Sequence, residues 1–404
     1  MSFGHPVTTP LSCSGQPTPD VTQLSNVVVV GGGIVGACVA HRLLRSGAIV
    51  TVIDRADPGQ ATAAAAGLLP PLDHFIGVGA VLPLLKAARA YYPELLEELA
   101  AAGHDDAGYA VVGALHVATS DEEVAQLAAI AAACEQRRDA GFGQIGTVER
   151  LDGGAARRLF PALGPSVLGA VHCDGAARVD GRQLLSALRA AVQARGGTWL
   201  SGHATLRVEA ERVTGVRVDG IAIDADTVVI SGGAWSRSLV VPLDIELPVH
   251  PQRGQLIHLE LPGPSTAGWP MVVGFSTSYL LSFPERRIVA GATREAEVGF
   301  DYRPTAGGVH AVLGSALRLA PELARATVKE IRVGFRPSSA DGKPILGASA
   351  RYPNVYFVTG HGGYGLEVGP YSGALVADLI MGEAAPIDLG PFEVDRFRPA
   401  PASM

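Results

Sequence analysis

The chain has 404 residues, 48% hydrophobic and 18% charged, enough for two domains and a large core. A formal net charge of −7 with no dense Lys/Arg run argues against a nucleic-acid surface. Mean hydropathy is +0.25, yet no stretch approaches the ~18 uninterrupted apolar residues of a membrane span.

To about Ser25 the sequence is rich in Pro, Thr and Ser, with neither a basic leader nor a long apolar run. It reads as a loosely docked tail rather than a secretory signal. Cys13, Cys38, Cys134 and Cys173 show no CxxC and no metal spacing, which predicts free thiols, a cytoplasmic protein and no metal.

Val27–Val30 reads as a strand, Gly31-Gly32-Gly33-Ile34-Val35-Gly36 as a glycine turn, and Ala37–Arg45 as a helix. A second strand, Ile49–Ile53, ends on Asp54. Strand, glycine turn, helix, strand, acid is the βαβ pattern of a dinucleotide site. Gly31 permits the tight turn, Gly33 lets backbone N–H groups approach a pyrophosphate, and Gly36 lets helix and sheet pack closely. The helix N-terminus offers N–H donors and partial positive charge to phosphates. Asp54 is placed to accept from a ribose hydroxyl. The glycine motif alone is equally an ordinary turn, and even in context it does not separate NAD from FAD.

Ala61–Leu69, with four consecutive alanines before Gly67, is either an alanine-rich helix or a backbone passing close to something flat. Phe75–Leu85 is strongly apolar: a core segment by default, otherwise a lid or a surface for a partner or membrane. Lys86–Ala102 and Asp121–Gln136 read as helices, the second capped by Ser120 with Glu123 three residues on. The sequence predicts a helix over Leu151–Leu163 and another over Arg182–Arg195. Short strands lie near 199–200, 206–209, 213–218 and 227–230, before the turn Ser231-Gly232-Gly233-Ala234-Trp235. Antiparallel strands follow at Gly254–Leu259, Tyr279–Phe283 and Ile288–Ala290, then a helix near Val309–Ala320. Val355–Thr359 is a strand, followed by a second glycine turn, Gly360-His361-Gly362-Gly363-Tyr364-Gly365, and a helix from about Leu366 to Met381.

Five motifs occur in one order: Gly31–Gly36 with Asp54, Thr62–Leu68, Gly232–Ser236, Gly334-Phe335-Arg336-Pro337 and Gly360–Gly365. Together they resemble the FAD-dependent D-amino-acid oxidase superfamily, most closely its glycine oxidase branch. The resemblance runs from Val27 to Met381 and includes Gly299-Phe300-Asp301 and Thr305–Val309. It implies an α/β fold: a discontinuous Rossmann-like FAD-binding domain (26–108, 168–244 and 334–395) and an inserted α+β substrate domain (109–167 and 245–333) containing an antiparallel sheet.

The same resemblance implies FAD rather than NAD. It puts Ile34 and Val35 at the pyrophosphate, Asp54 and Arg55 near the adenosine, and Thr62, Ala66, Gly67 and Leu68 beside the isoalloxazine. Gly232 belongs to the same cofactor set, and His361, Gly362, Gly363, Tyr364, Gly365 and Leu366 face the pyrimidine end, where a helix N-terminus favours negative charge. Relatives that tether FAD covalently use a cysteine after the Arg-Pro pair. Here Ser338-Ser339-Ala340-Asp341 has none, so FAD is expected to bind non-covalently.

Arg336 matches the arginine that pairs with a substrate carboxylate, and Tyr279 matches a pocket tyrosine, although a buried strand tyrosine is the plain alternative. Glycine oxidases carry an arginine where this chain has Gly363; Arg294 either compensates, favouring an acidic or polar side chain, or faces solvent and pairs with Glu295 or Glu297. His361 is either a base or a turn residue contacting flavin through its backbone. The implied reaction is hydride transfer from Cα–H of glycine or a small D-amino acid, giving an imine that hydrolyses to an oxo acid and ammonia. Oxygen is the expected acceptor and peroxide the product. A D-amino-acid dehydrogenase using a quinone or carrier, an oxidase of N-methyl or cyclic amino acids, and a flavin-binding scaffold without turnover are the alternatives. A homo-oligomer fits any of these.

Overall fold

The computed structural model describes residues 25–71, 79–142, 144–275 and 278–398. The predicted tail before Ser25, Cys13 and the Phe75–Val78 part of the apolar stretch lie outside the described residues.

Valine-rich strands buried on both faces build the first sheet, as expected of parallel strands covered by helices. Its order is Ile345–Ala348, Val355–Thr359, Thr227–Ile230, Asn26–Val30, Ile49–Asp54 and Thr198–Ser201. All pairs are parallel except the first. Val29 lies in register with Val52 on one side and Val229 on the other. Asn26–Val30 and Val355–Thr359 each run into a glycine turn and then a helix, Ile34–Arg45 and Gly365–Ile380. Both helices therefore begin at the carboxyl edge of one sheet, the edge where ligands bind in open α/β sheets. They pack on each other because Gly369 and Gly373 have no side chains: a Cβ on Gly373 would lie 2.6 Å from the Val35 carbonyl oxygen.

An eight-stranded sheet forms the second layer, in the order Thr327–Ser339, Val249–Glu260, Arg287–Gly291, Tyr279–Ser282, Met271–Val273, Ala114–Ala118, Gly169–Cys173 and Val148–Asp152. It is antiparallel except where Met271–Val273 meets Ala114–Ala118. The long pair Val249–Glu260 and Thr327–Ser339 sets Gln252 opposite Arg336 and Gly254 opposite Gly334.

Two helix boundaries differ from expectation. The predicted helix over Leu151–Leu163 is a strand, Val148–Asp152, then a short helix, Gly153–Leu159. Asp152 ends the strand and caps the helix, its carboxylate accepting from Ala155 N–H at 2.6 Å. The apolar stretch ending at Leu85 enters the helix Val81–Ala101, with Val81, Leu84 and Leu85 buried in the core. No helix among the described residues is long and apolar enough to cross a membrane.

Candidate active site

A cleft of about 520 Å³ runs along the carboxyl edge of the parallel sheet and ends against the eight-stranded sheet. Every site residue named from the sequence lines it except Gly36. Gly36 acts one step removed: a Cβ there would run into the Gly31 carbonyl oxygen, so glycine lets the helix close on the turn. Gly31 has φ +116°, and a side chain on it would strike the backbone of Ser231. Ser231 in turn donates its hydroxyl to the Gly31 carbonyl at 2.8 Å, holding the Ser231–Trp235 turn against the Gly31–Gly36 turn. A Cβ on Gly33 would meet only Thr62 Oγ1, at 3.4 Å. Thr62 Oγ1 accepts from Ile34 N–H at 3.1 Å, fixing the alanine segment against the helix start.

At one end, Asp54 is locked by three donors. Its Oδ2 accepts from Gly32 N–H at 2.5 Å; its Oδ1 accepts from Ala56 N–H at 2.5 Å and from Gln60 Nε2 at 2.8 Å. Oδ2 keeps one lone pair for a ribose hydroxyl. Arg55 pairs with Asp57 at 2.7 Å beside His203. The alanine run resolves into one helical turn, Ala61–Ala64, followed by extended backbone through Ala65 that lines the cleft to Leu68. Gly67 has φ +97° and its carbonyl accepts from Val179 N–H at 2.9 Å; a side chain would collide with the Val179 carbonyl.

The second glycine turn closes the other end. A Cβ on Gly362 would meet no atom of the described residues within 4 Å, so the wall there is bare backbone. His361 is 2% exposed, and its Nε2 is buried without a hydrogen-bond partner among the described residues. Burial pushes its pKa down to about 4, so the ring is neutral at physiological pH. Glycine backbone without neighbours, two helix N-termini and an acid at the far end of a long cleft together fit a flavin dinucleotide. Among the described residues no cysteine lines the cleft, and Cys38, Cys134 and Cys173 are buried.

Arg336 and Arg294 converge near Gly363, and both charges act on Tyr279. Arg336 Nη1 donates to the Thr293 carbonyl at 3.0 Å and the Arg253 carbonyl at 3.4 Å. Its Nε and Nη2 make no hydrogen bond among the described residues, leaving one edge of the fork for a ligand. Burial lowers its pKa, the nearby Tyr279 opposes that, and the Arg294 charge adds to it. The Tyr279 ring fills the space over Gly291, and burial raises the pKa of its hydroxyl, keeping it protonated. Arg294 lines the cleft at an exposed position, while Glu295 is committed elsewhere, to Arg253 at 2.5 Å and Gln255 at 2.7 Å.

Sequence reasoning missed the supports. Gly254 and Gly291 make room for Arg336 and Tyr279. Arg89 and Glu367, both 3% exposed, form an ion pair at 2.6 Å, and Arg89 also donates to the Pro70 and Pro71 carbonyls. That pair ties the Val81–Ala101 helix to the first turn of Gly365–Ile380. Glu367 directly after Leu366 was the only local signal, an acid in the first turn of an otherwise apolar helix.

Comparison with known proteins agrees with this geometry. The family described as FAD dependent oxidoreductase (DAO) matches residues 26–379. The chain is 40% identical over 371 residues to the uncharacterized oxidoreductase YurR of Bacillus subtilis, covering 92% of this chain and 98% of that one. It is 33% identical over 370 residues to the glycine oxidase of Pseudomonas putida, covering 91% and 97%. The crystal structure of iminodiacetate oxidase from a Chelativorans species matches with a TM-score of 0.86 at 40% identity, across 91% of this chain and 98% of that chain. The chain therefore belongs to the DAO family of FAD-dependent oxidoreductases, enzymes that act on CH–NH donors.

Proposed function

We propose that this enzyme oxidises the Cα–H of a small α-amino acid, glycine or a small D-amino acid in the first instance, to the imine, with oxygen as final acceptor and peroxide as product. The observation that carries the reading is Arg336: a half-buried guanidinium held by two backbone carbonyls, with its Nε and Nη2 edge left for a carboxylate at the flavin end of the cleft. Bound FAD supplies the acceptor for the hydride. Arg336 holds the carboxylate in a two-point grip that fixes Cα toward the ring. The protonated Tyr279 hydroxyl donates to the same carboxylate or covers it. The substrate amine reacts in its neutral form, so no side-chain base is required. We assign His361 to cofactor contact through its backbone, since its ring is buried and neutral. The imine then hydrolyses in water to an oxo acid and ammonia.

We divide the chain as 26–108, 168–244 and 334–395 for FAD and 109–167 and 245–333 for substrate, moving Gly169–Cys173 to the substrate part because it is hydrogen-bonded within the eight-stranded sheet. The unbridged Cys38, Cys134 and Cys173 suit the cytoplasm. A second reading, an N-substituted glycine as substrate, draws support from the 40% identity to iminodiacetate oxidase.

Anaerobic bleaching of the bound flavin by a panel of glycine, D-, L- and N-substituted amino acids tests the proposal. Bleaching by at least one of them is expected; silence across the panel refutes amine oxidation. Dye reduction without oxygen consumption would replace oxygen by another acceptor.

A further inference from the structure

We infer that the preferred substrate carries two carboxylates, one gripped by Arg336 and the second by Arg294, so that the enzyme is selective for amino acids with a second acidic group. This rests on the amine-oxidation reading and narrows it to a chemical class.

Three observations lead there. First, the two guanidinium groups flank one point. A Cβ placed on Gly363 would lie 3.8 Å from Arg294 Nη2, 3.8 Å from Arg336 Cδ and 3.9 Å from Arg336 Nε. Both side chains line the same cleft as Tyr279. Second, that gap is kept open by the absence of a side chain. Alanine at 363 would be in ordinary contact with both arginines. Glycine here leaves room for a ligand group that touches both. Third, the two positive charges act on each other and on Tyr279. A diacid answers both and places its reacting Cα between two anchors.

Position also separates the roles. Arg336 is half-buried at the inner end, where the carboxylate next to the reacting carbon must sit, while Arg294 is exposed at the mouth. The second carboxylate therefore extends outward, and the substrate has an N-carboxymethyl group or a short acidic side chain.

The test uses the FAD-loaded enzyme. Iminodiacetate and N-methylglycine share the N–CH2–COO unit and differ in the second carboxylate. The wild type is expected to be reduced anaerobically by iminodiacetate with a kcat/KM at least about tenfold above that for N-methylglycine. Arg294→Ala and Arg294→Gln should lower the ratio of the two by about 10- to 100-fold, and Arg294→Lys should lie between. A second readout needs no turnover: diglycolate and methoxyacetate, which lack the amine, are titrated against the flavin absorbance spectrum. Diglycolate should bind more tightly than methoxyacetate to the wild type and lose that advantage in Arg294→Gln. Arg294 is exposed, so all three variants should keep their flavin, and flavin content checks this. Reduction by N-methylglycine but not by iminodiacetate, or a ratio unmoved by Arg294→Gln, overturns the inference and leaves amine oxidation intact. No reduction by any amine overturns the underlying reading instead.

Discussion

Gly254 has no chemistry of its own, yet the grip of Arg336 depends on it. A Cβ there would stand 2.6 Å from Arg336 Nη1 and 2.7 Å from its Cζ and Nη2. The two residues sit on paired strands, so the backbone is fixed by the ladder and the guanidinium must move. Gly254→Ala is expected to raise KM for the substrate by about 10- to 100-fold, the size of a lost charge-assisted hydrogen bond, while flavin content is kept. Arg336→Ala should cost more, because it removes both points of the grip. Steady-state kinetics with flavin quantitation decides this; Gly254→Ala kinetics like those of the wild type would mean that Arg336 does not hold the substrate. The arginine was legible in the sequence because it sits inside a short motif, Gly334 to Pro337. Gly254 and Gly291 were not, because what each makes room for lies on another strand and only the sheet register brings the two together.

The two helices that start at the glycine turns were legible from their glycines and apolar runs, but their packing against each other was not. Gly373 would bring a Cβ to 2.6 Å from the Val35 carbonyl oxygen and 2.9 Å from Cys38 Cβ. Alanine raises helix propensity by about 1 kcal/mol, whereas forcing an atom against backbone costs about 1–3 kcal/mol. The collision is with backbone that cannot swing aside, so Gly373→Ala should destabilise by about 1–2 kcal/mol and weaken FAD retention, measured by thermal unfolding and flavin release. An increase in stability would show that the helices separate freely. The Arg89–Glu367 pair presents the opposite case, two charges buried together. Glu367→Ala removes the carboxylate that faces the buried Arg89 guanidinium and should cost about 3–5 kcal/mol, read by denaturant unfolding. The misread Leu151–Leu163 segment has a related cause. Val148–Asp152 is an edge strand with no fully buried residue, so it lacks the apolar alternation by which strands are recognised. Its partner Gly169–Cys173, not its own sequence, makes it a strand.

For the whole molecule, sheet order was the least legible property. Strands from residue 114 to residue 339 meet in one eight-stranded sheet, and nothing local specifies which will be neighbours. That layering also buries histidines far apart in sequence, and they set the response to acid. His258 is 2% exposed, and burial, with Arg332 and Arg287 nearby, pushes its pKa down to about 3. His361 is pushed down to about 4 by burial alone. Each lies below the ordinary histidine value of 6.5. Between the two values the unfolded chain binds protons that the folded chain refuses, so stability rises with pH across that window. Stability is fully present above about pH 6.5 and is lost as pH falls toward 4, by on the order of a few kcal/mol for the two groups. Carboxylates act lower. Burial alone would raise the Asp341 pKa, but the Arg396 guanidinium and the Lys343 backbone N–H hold it at about 2, so its contribution is lost only below the ordinary value of 3.8. The acid limb should therefore begin near pH 6.5, well above the carboxylate range. Thermal unfolding of the FAD-loaded protein from pH 8 to 4 checks this, with His258→Gln as the comparison because that residue does not line the cofactor cleft. The variant's melting temperature should fall less steeply between pH 6.5 and 4 than that of the wild type. Parallel slopes would mean that acid enters the fold elsewhere.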